Sequence, residues 1–190
     1  MSSLLVKKAL YFAAQKHEKQ YRKGIPVPYI VHPVQVAFGV SKYTSDEEVI
    51  ASAFLHDTLE DCHDVSLDIL KNEFGHRVAS LVDEVSLDKD KKYTTWKEKK
   101  EAYLKKINKA SKDALIIVAI DKMSNLEGYF GALIERGGKV VQDFGGTPNE
   151  YIWYYTEVGN ILFSTLGESA LIREYNALLE FYKKKTSDFI

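Results

Sequence analysis

The chain has 190 residues, 45% of them hydrophobic, and its 26 basic and 27 acidic side chains give a formal net charge of −1. This balance argues against nucleic acid or an acidic membrane as a partner, and no apolar run approaches the ~18 residues of a membrane span. The single cysteine, Cys62, allows no intrachain disulfide and suits a reducing compartment. We therefore expect one globular domain over residues 1–190, located in the cytoplasm.

Apolar residues recur at helical spacing along almost the whole chain. Thr44 and Ser45, with Glu47 and Glu48 three residues later, form capping-box signals for a helix, and Ser66 can cap the next one. The predicted fold class is therefore all-α. The pattern predicts helices over residues 3–20, 33–42, 46–61, 67–74, 76–85, 96–109, 112–127, 150–165 and 168–185.

One apolar run leaves two interpretations open. The segment ALIIVAI (residues 114–120) is rich in isoleucine and valine, which favours a buried strand. We prefer a central helix, because nothing else in the chain pairs with this segment as a strand. Residues 22–29, 86–95 and 137–150 are predicted to be loops or polar connectors.

The segment AFLHDTLED (residues 53–61) places four ionisable side chains inside an apolar pattern. On a helical wheel these four span about 140° of arc, on a face that is elsewhere apolar. Burying ionised carboxylates without partners costs several kcal/mol, and a cation would offset that cost. The alternative is a helix whose acids reach solvent, with the histidine at its edge. The four residues are His56, Asp57, Glu60 and Asp61.

Two further sites bear on this choice. His32 stands at the start of a predicted helix, and Asp121 follows the most apolar run in the chain, with Asn125 one turn later on the same face. Taken alone, His32 is typical of a satisfied core histidine and Asp121 of a helix-end charge. The order of a histidine, a His-Asp pair and a second aspartate, all on helices, favours a shared metal site instead.

These motifs resemble the HD-domain phosphohydrolases, and within them the hydrolase domains of the RelA/SpoT proteins and the small stand-alone alarmone hydrolases. An HD dipeptide alone is a weak signal, whereas HD followed by ED three residues later, with the preceding RKG…PYIVHP, is specific. The resemblance covers about residues 8–130 and leaves the C-terminal helices, about 150–185, outside it. The matching segments are residues 13–37, 51–61, 70–86 and 118–126.

The resemblance implies an HD-domain helical bundle that holds one divalent metal ion, Mn²⁺ by preference. It implies removal of the 3′-pyrophosphate of guanosine tetraphosphate or pentaphosphate, with GDP or GTP and pyrophosphate as products. Two imidazoles and two carboxylates suit Mn²⁺, Fe²⁺ or Zn²⁺. By match, the metal ligands are His32, His56, Asp57 and Asp121, the catalytic acidic pair is Glu60 and Asp61, and the nucleotide contacts are Arg22, Lys23 and Asn125.

Other functions stay open at this point. One is a different HD-type phosphohydrolase, such as a nucleotidase or an NADPH phosphatase, and another is a catalytically silent nucleotide-binding module. The chain departs from its relatives at Met123 and Ser124, where they tend to have a leucine and a ring side chain, and at Gly128, where bacterial relatives often have threonine. The last forty residues, rich in tyrosine and phenylalanine, are expected to cover the core or to form the face of a homo-oligomer.

Overall fold

The computed structural model describes residues 3–23, 26–139 and 143–185, and within these ranges it contains ten α-helices and no strand. A 3₁₀ turn, Gly137–Lys139, follows the eighth helix. The all-α prediction is confirmed. The helices are α1 (Leu4–Lys16), α2 (Val31–Val40), α3 (Glu47–Leu55), α4 (Thr58–Asp61), α5 (Leu67–Phe74), α6 (His76–Val85), α7 (Trp96–Ile107), α8 (Lys112–Arg136), α9 (Pro148–Leu166) and α10 (Ala170–Lys185).

The helix predicted over residues 46–61 is interrupted at His56 and Asp57, so the segment forms α3 and α4 instead. Side chains bond the carbonyl groups at the interruption: Thr58 Oγ1 donates to the Leu55 carbonyl at 2.7 Å, and Ser86 Oγ donates to the His56 carbonyl at 3.0 Å. Such bonds compete with the backbone ladder of a helix. The metal-ligand pair predicted in mid-helix therefore lies at a break.

Two further boundaries differ from the sequence prediction. The N-cap of α3 is Asp46, which accepts hydrogen bonds from two backbone N–H groups, rather than Thr44 or Ser45. Helix α1 ends at Lys16, four residues early, because the chain then pairs with the loop that follows it. The N–H of Arg22 donates to the Val27 carbonyl at 2.9 Å, and this extended pairing cannot continue a helix.

Helix α8 is the central element of the fold. It packs against α2, α3, α6, α9 and α10, and the segment that could have been a strand, residues 114–120, lies buried in its first half. Gly39 allows α2 to approach α8 closely, since a Cβ at that position would lie 2.5 Å from Ile120 Cγ2. This close approach is at the end of α2, and His32 at the start of the same helix lies beside Asp121 in the middle of α8.

The C-terminal helices add an aromatic layer to the core. Tyr129 of α8 stacks on Tyr151 of α9 with ring centroids 3.6 Å apart, and the Tyr175 hydroxyl donates to the Tyr155 carbonyl at 2.8 Å. All four tyrosines are buried, so this part of the chain covers the core, as expected. None of the helices in the described ranges has the length and apolar character needed to cross a membrane.

Candidate active site

The four predicted metal ligands meet at one point in the interior. His32 lies in the first turn of α2, His56 and Asp57 lie at the break between α3 and α4, and Asp121 lies in the middle of α8. His32 Nε2 is 3.1 Å from Asp121 Oδ1 and 3.5 Å from Asp57 Oδ2. His56 Nε2 is 3.1 Å from Asp57 Oδ2 and 3.6 Å from Asp121 Oδ1. Residues far apart in sequence thus converge.

This geometry fits a metal ion. Donor atoms of His32, His56 and Asp57 all lie within 4.8 Å of one another, and these three residues could hold an ion. Two ligand atoms that each lie ~2.1 Å from one ion at an angle of ~90–110° are ~3.0–3.5 Å apart, close to the separations seen here. His56 Nε2 is buried and makes no hydrogen bond of acceptable geometry. A cation would give that nitrogen a partner.

Hydrogen bonds to outer residues orient the ligands. His56 Nδ1 lies 2.8 Å from the Ala53 carbonyl, and because that oxygen can only accept, Nδ1 carries the proton and leaves Nε2 free to bind an ion. His32 Nδ1 lies 3.1 Å from Ser124 Oγ, a hydroxyl that can accept a hydrogen bond from Nδ1 when Nε2 binds an ion. The Tyr29 hydroxyl donates to Asp57 Oδ2 at 2.6 Å. Neither Ser124 nor Tyr29 was predicted from the sequence to have such a role.

The electrostatics of the cluster favour a bound cation. Burial opposes the ionised form of Asp121, but Lys122 and the two histidines hold the pKa of its carboxyl well below the usual range. Burial alone would lower the pKa of His56, yet Asp57 and Asp121 raise it well above the usual value. Burial lowers the pKa of His32. Without a metal ion, the buried carboxylates therefore draw a proton onto His56, and a metal cation would replace it.

The two acids of the predicted catalytic pair have different surroundings. Glu60 is anchored by both of its oxygens: Oε2 accepts from the Leu87 N–H at 3.1 Å, and Oε1 pairs with Lys99 Nζ at 2.8 Å. Asp61 keeps contact with solvent, but the protein around its carboxyl, followed by the charges of Asp57 and Glu60, raises its pKa to about 7. Glu60 is thus fixed and charge-balanced, whereas Asp61 can change protonation near neutral pH.

Two of the three predicted nucleotide contacts are brought together beside the ligands. Arg22 Nη1 donates to Asn125 Oδ1 at 3.3 Å, and the Asn125 amide donates to Asp121 Oδ1. The Arg22 guanidinium also lies 5.9 Å from the centre of the Tyr29 ring. Lys23 is exposed and makes no hydrogen bond or ion pair with any residue that the structure describes. The structure therefore places Arg22 and Asn125 at the site but gives Lys23 no contact there.

Comparison with known proteins identifies the family. The family model of the HD domain matches residues 9–139, well over half of the chain. The chain belongs to the HD domain family. The matched region includes every residue of the cluster described above, so the HD-domain signature and the buried His-Asp centre coincide.

Named relatives share this HD domain. The chain is 35% identical over 140 residues to a guanosine-3′,5′-bis(diphosphate) 3′-pyrophosphohydrolase of Aquifex aeolicus, a match that covers 73% of this chain and 20% of that protein. It is 37% identical over 118 residues to the human enzyme of that name, MESH1, covering 60% of this chain and 64% of the relative. The chain thus spans about a fifth of the length of the bacterial relative.

A solved structure resembles the fold over nearly its whole length. It is described as a metazoan ortholog of SpoT that hydrolyses ppGpp and plays a role in starvation responses. The alignment covers 97% of both chains with a TM-score of 0.73 and 27% sequence identity. The likeness includes the region beyond residue 139, which the HD-domain match leaves out.

Proposed function

We propose that this chain is a divalent-metal-dependent phosphohydrolase that removes the 3′-pyrophosphate of guanosine tetraphosphate or pentaphosphate, leaving GDP or GTP. The observation that carries this proposal is the buried convergence of His32, His56, Asp57 and Asp121, with an acidic pair beside it. The names of the Aquifex and human relatives and the ppGpp-hydrolysing structural neighbour support the substrate.

We assign the four clustered side chains as ligands of one ion and propose Mn²⁺, which suits a mixed set of imidazoles and carboxylates. When bound, such an ion polarises a phosphoryl oxygen and lowers the pKa of a water molecule. The hydrogen bond from Tyr29 to Asp57 and the bond between Ser124 and His32 hold these ligand side chains in place.

The acidic pair divides the proton transfer. In the hydrolysis, a water oxygen bonds to the phosphorus next to the ribose, and the bond from that phosphorus to the 3′ oxygen breaks. Asp61, whose pKa is about 7, can take the proton of the water and return a proton to the departing 3′ oxygen. Glu60, anchored by Lys99 and the Leu87 N–H, can hold the water by hydrogen bonding.

The nucleoside is assigned to the side of the site where Arg22 lies, in the loop before α2. The Arg22 guanidinium is held by Asn125, and a planar guanidinium can stack on a purine face, which a lysine ammonium does poorly. Gly128 borders the same group, since a Cβ there would lie 3.4 Å from Arg22 Nη2. We therefore assign base recognition to Arg22, Asn125 and the open space at Gly128.

The leaving group tests the proposal. Mn²⁺-loaded protein is incubated with ppGpp, and the products are separated; we expect GDP and pyrophosphate, with no turnover by the His56→Ala variant. NADPH and common nucleotides are assayed in parallel, because a phosphatase or nucleotidase would release monophosphate. Inertness toward ppGpp and pppGpp, with phosphate released from another nucleotide, would refute the alarmone assignment.

A further inference from the structure

Three lysine side chains of α7 and α8 lie beside the candidate active site, and we call them the lysine cluster: Lys99, Lys100 and Lys122. Two of them are neutralised by carboxylates of the site. Lys99 pairs with Glu60 at 2.8 Å, and Lys122 pairs with the Asp121 oxygen that faces away from the histidines. The cluster is therefore in direct contact with both the acidic pair and the metal-ligand set.

Lys100 differs from the other two because it has no carboxylate partner among the described residues. Its ammonium instead lies over aromatic rings, 4.6 Å from the centre of Tyr154 and 5.4 Å from that of Trp96. Lys122 Nζ lies 4.3 Å over the ring of Tyr103. The centroids of the Tyr103 and Tyr154 rings are 6.5 Å apart, so the ammonium groups of Lys100 and Lys122 lie over neighbouring rings.

This arrangement leaves a positive charge without its counterion. Burial, followed by the nearby charges of Lys122 and Lys99, lowers the pKa of Lys100 to about 7. Aromatic faces stabilise an ammonium only modestly compared with a charged partner. An anion beside Lys100 would stabilise the charged form of the one ammonium group in the cluster that has no carboxylate partner among the described residues.

We propose that the lysine cluster is a binding site for a diphosphate group, with Lys100 as its principal contact. The identity of that group rests on the proposed function: the substrate carries two diphosphates, and the metal centre accounts for one phosphate next to the 3′ oxygen. The cluster can receive either the 5′-diphosphate or the outer part of the 3′-diphosphate, which leaves as pyrophosphate. Arg22 does not belong to the lysine cluster. Its guanidinium donates a hydrogen bond to Asn125, which lies one turn after Lys122 on α8.

Binding measurements test this site without requiring turnover. Isothermal titration calorimetry at fixed Mn²⁺ and salt concentrations compares guanosine, GDP and inorganic pyrophosphate on the wild-type protein and variants. Lys100→Met removes the ammonium but keeps an unbranched side chain against the rings, and Lys100→Arg keeps the charge. Lys105→Ala, an exposed lysine on the same helix, removes one charge elsewhere. Thermal unfolding is used to confirm that each variant is folded. If Lys100→Met does not fold, Lys100→Gln takes its place.

We expect Lys100→Met to raise the Kd for GDP or for pyrophosphate roughly 10- to 100-fold, the effect of one lost charged hydrogen bond. The Kd for guanosine should be the same in Lys100→Met as in the wild type. In Lys105→Ala, the Kd values for all three probes should equal those of the wild type. A loss confined to GDP assigns the site to the 5′-diphosphate, and a loss confined to pyrophosphate assigns it to the leaving group. Equal affinities in wild type and Lys100→Met, an equal loss in Lys105→Ala, or no binding of either probe by the wild type would overturn the proposal. Failure to hydrolyse ppGpp would leave this binding result unchanged.

Discussion

Ser124→Ala removes a hydroxyl next to the proposed metal ligand His32, on the Nδ1 side of its ring. Ser124 Oγ lies 3.1 Å from His32 Nδ1, and His32 is only 1% exposed, so water cannot easily replace the lost partner. A buried donor left without a partner costs about 1–3 kcal/mol. Loss of an outer-shell partner of a metal-binding histidine lowers metal affinity about 10- to 100-fold, which corresponds to about 1.4–2.8 kcal/mol.

The assay is Mn²⁺ titration by isothermal calorimetry on wild type, Ser124→Ala and Ser124→Thr. We expect a 10- to 100-fold higher Kd for Ser124→Ala. Ser124→Thr should restore affinity, because it keeps the hydroxyl and because a cavity of about 560 Å³ beside Ser124 has room for the added methyl group. Ser164→Ala, an exposed serine of α9, serves as the control. Wild-type affinity in Ser124→Ala would show that the hydroxyl does not position His32.

Three other perturbations test different parts of the structure. Glu60→Gln should keep the metal but cut turnover by roughly 10²- to 10⁴-fold, measured together with metal content by mass spectrometry; full turnover would remove Glu60 from the mechanism. In metal-free protein, the contribution of Asp61 to the free energy of unfolding should fall from about pH 4 to about pH 7, since Asp61 keeps a proton in the folded state that it loses in the unfolded state. Asp61→Asn should flatten that slope in urea titrations, and an identical slope would contradict the raised pKa. Gly39→Ala should destabilise the protein, because overpacking against Ile120 at 2.5 Å costs about 1–3 kcal/mol and exceeds a helix-propensity gain of about 1 kcal/mol. In an Ile120→Ala background the same change should stabilise it, and the same sign in both backgrounds would refute the steric argument.

The helices could be predicted because their signals are local. Apolar periodicity and caps such as Ser66, which accepts the Ile69 N–H at 3.3 Å, lie within one or two turns of the helix they define. The break between α3 and α4 could not be predicted in this way, because one of the hydrogen bonds that accompany it comes from Ser86, thirty residues away. Local propensity favours a continuous helix through residues 46–61, and a distant contact interrupts it.

At the candidate site too, some features could be predicted from local sequence and others depend on contacts between distant residues. The candidate ligand types and their order in the chain were visible in the sequence, and the structure places His32, His56, Asp57 and Asp121 close together, while their role as ligands stays a prediction. Their supporting residues were not visible, because each is defined only by where its side chain points. The helix over residues 96–109 was predicted from its periodicity, but only the packing of α7 shows the Lys100 ammonium over the rings of Trp96 and Tyr154.

The break at His56 and Asp57 explains how two adjacent residues can face one ion. In a continuous helix successive side chains diverge by about 100°, so neighbours in sequence seldom point at the same centre. Here the interruption brings His56 Nε2 within 3.1 Å of Asp57 Oδ2. Ser86, the residue that follows α6, places its hydroxyl 3.0 Å from the His56 carbonyl and 2.7 Å from the Val82 carbonyl, so it links the break to the end of α6. The packing of α6 against α3 therefore supports the proposed metal site as well as the core, although α6 contributes none of the proposed ligands.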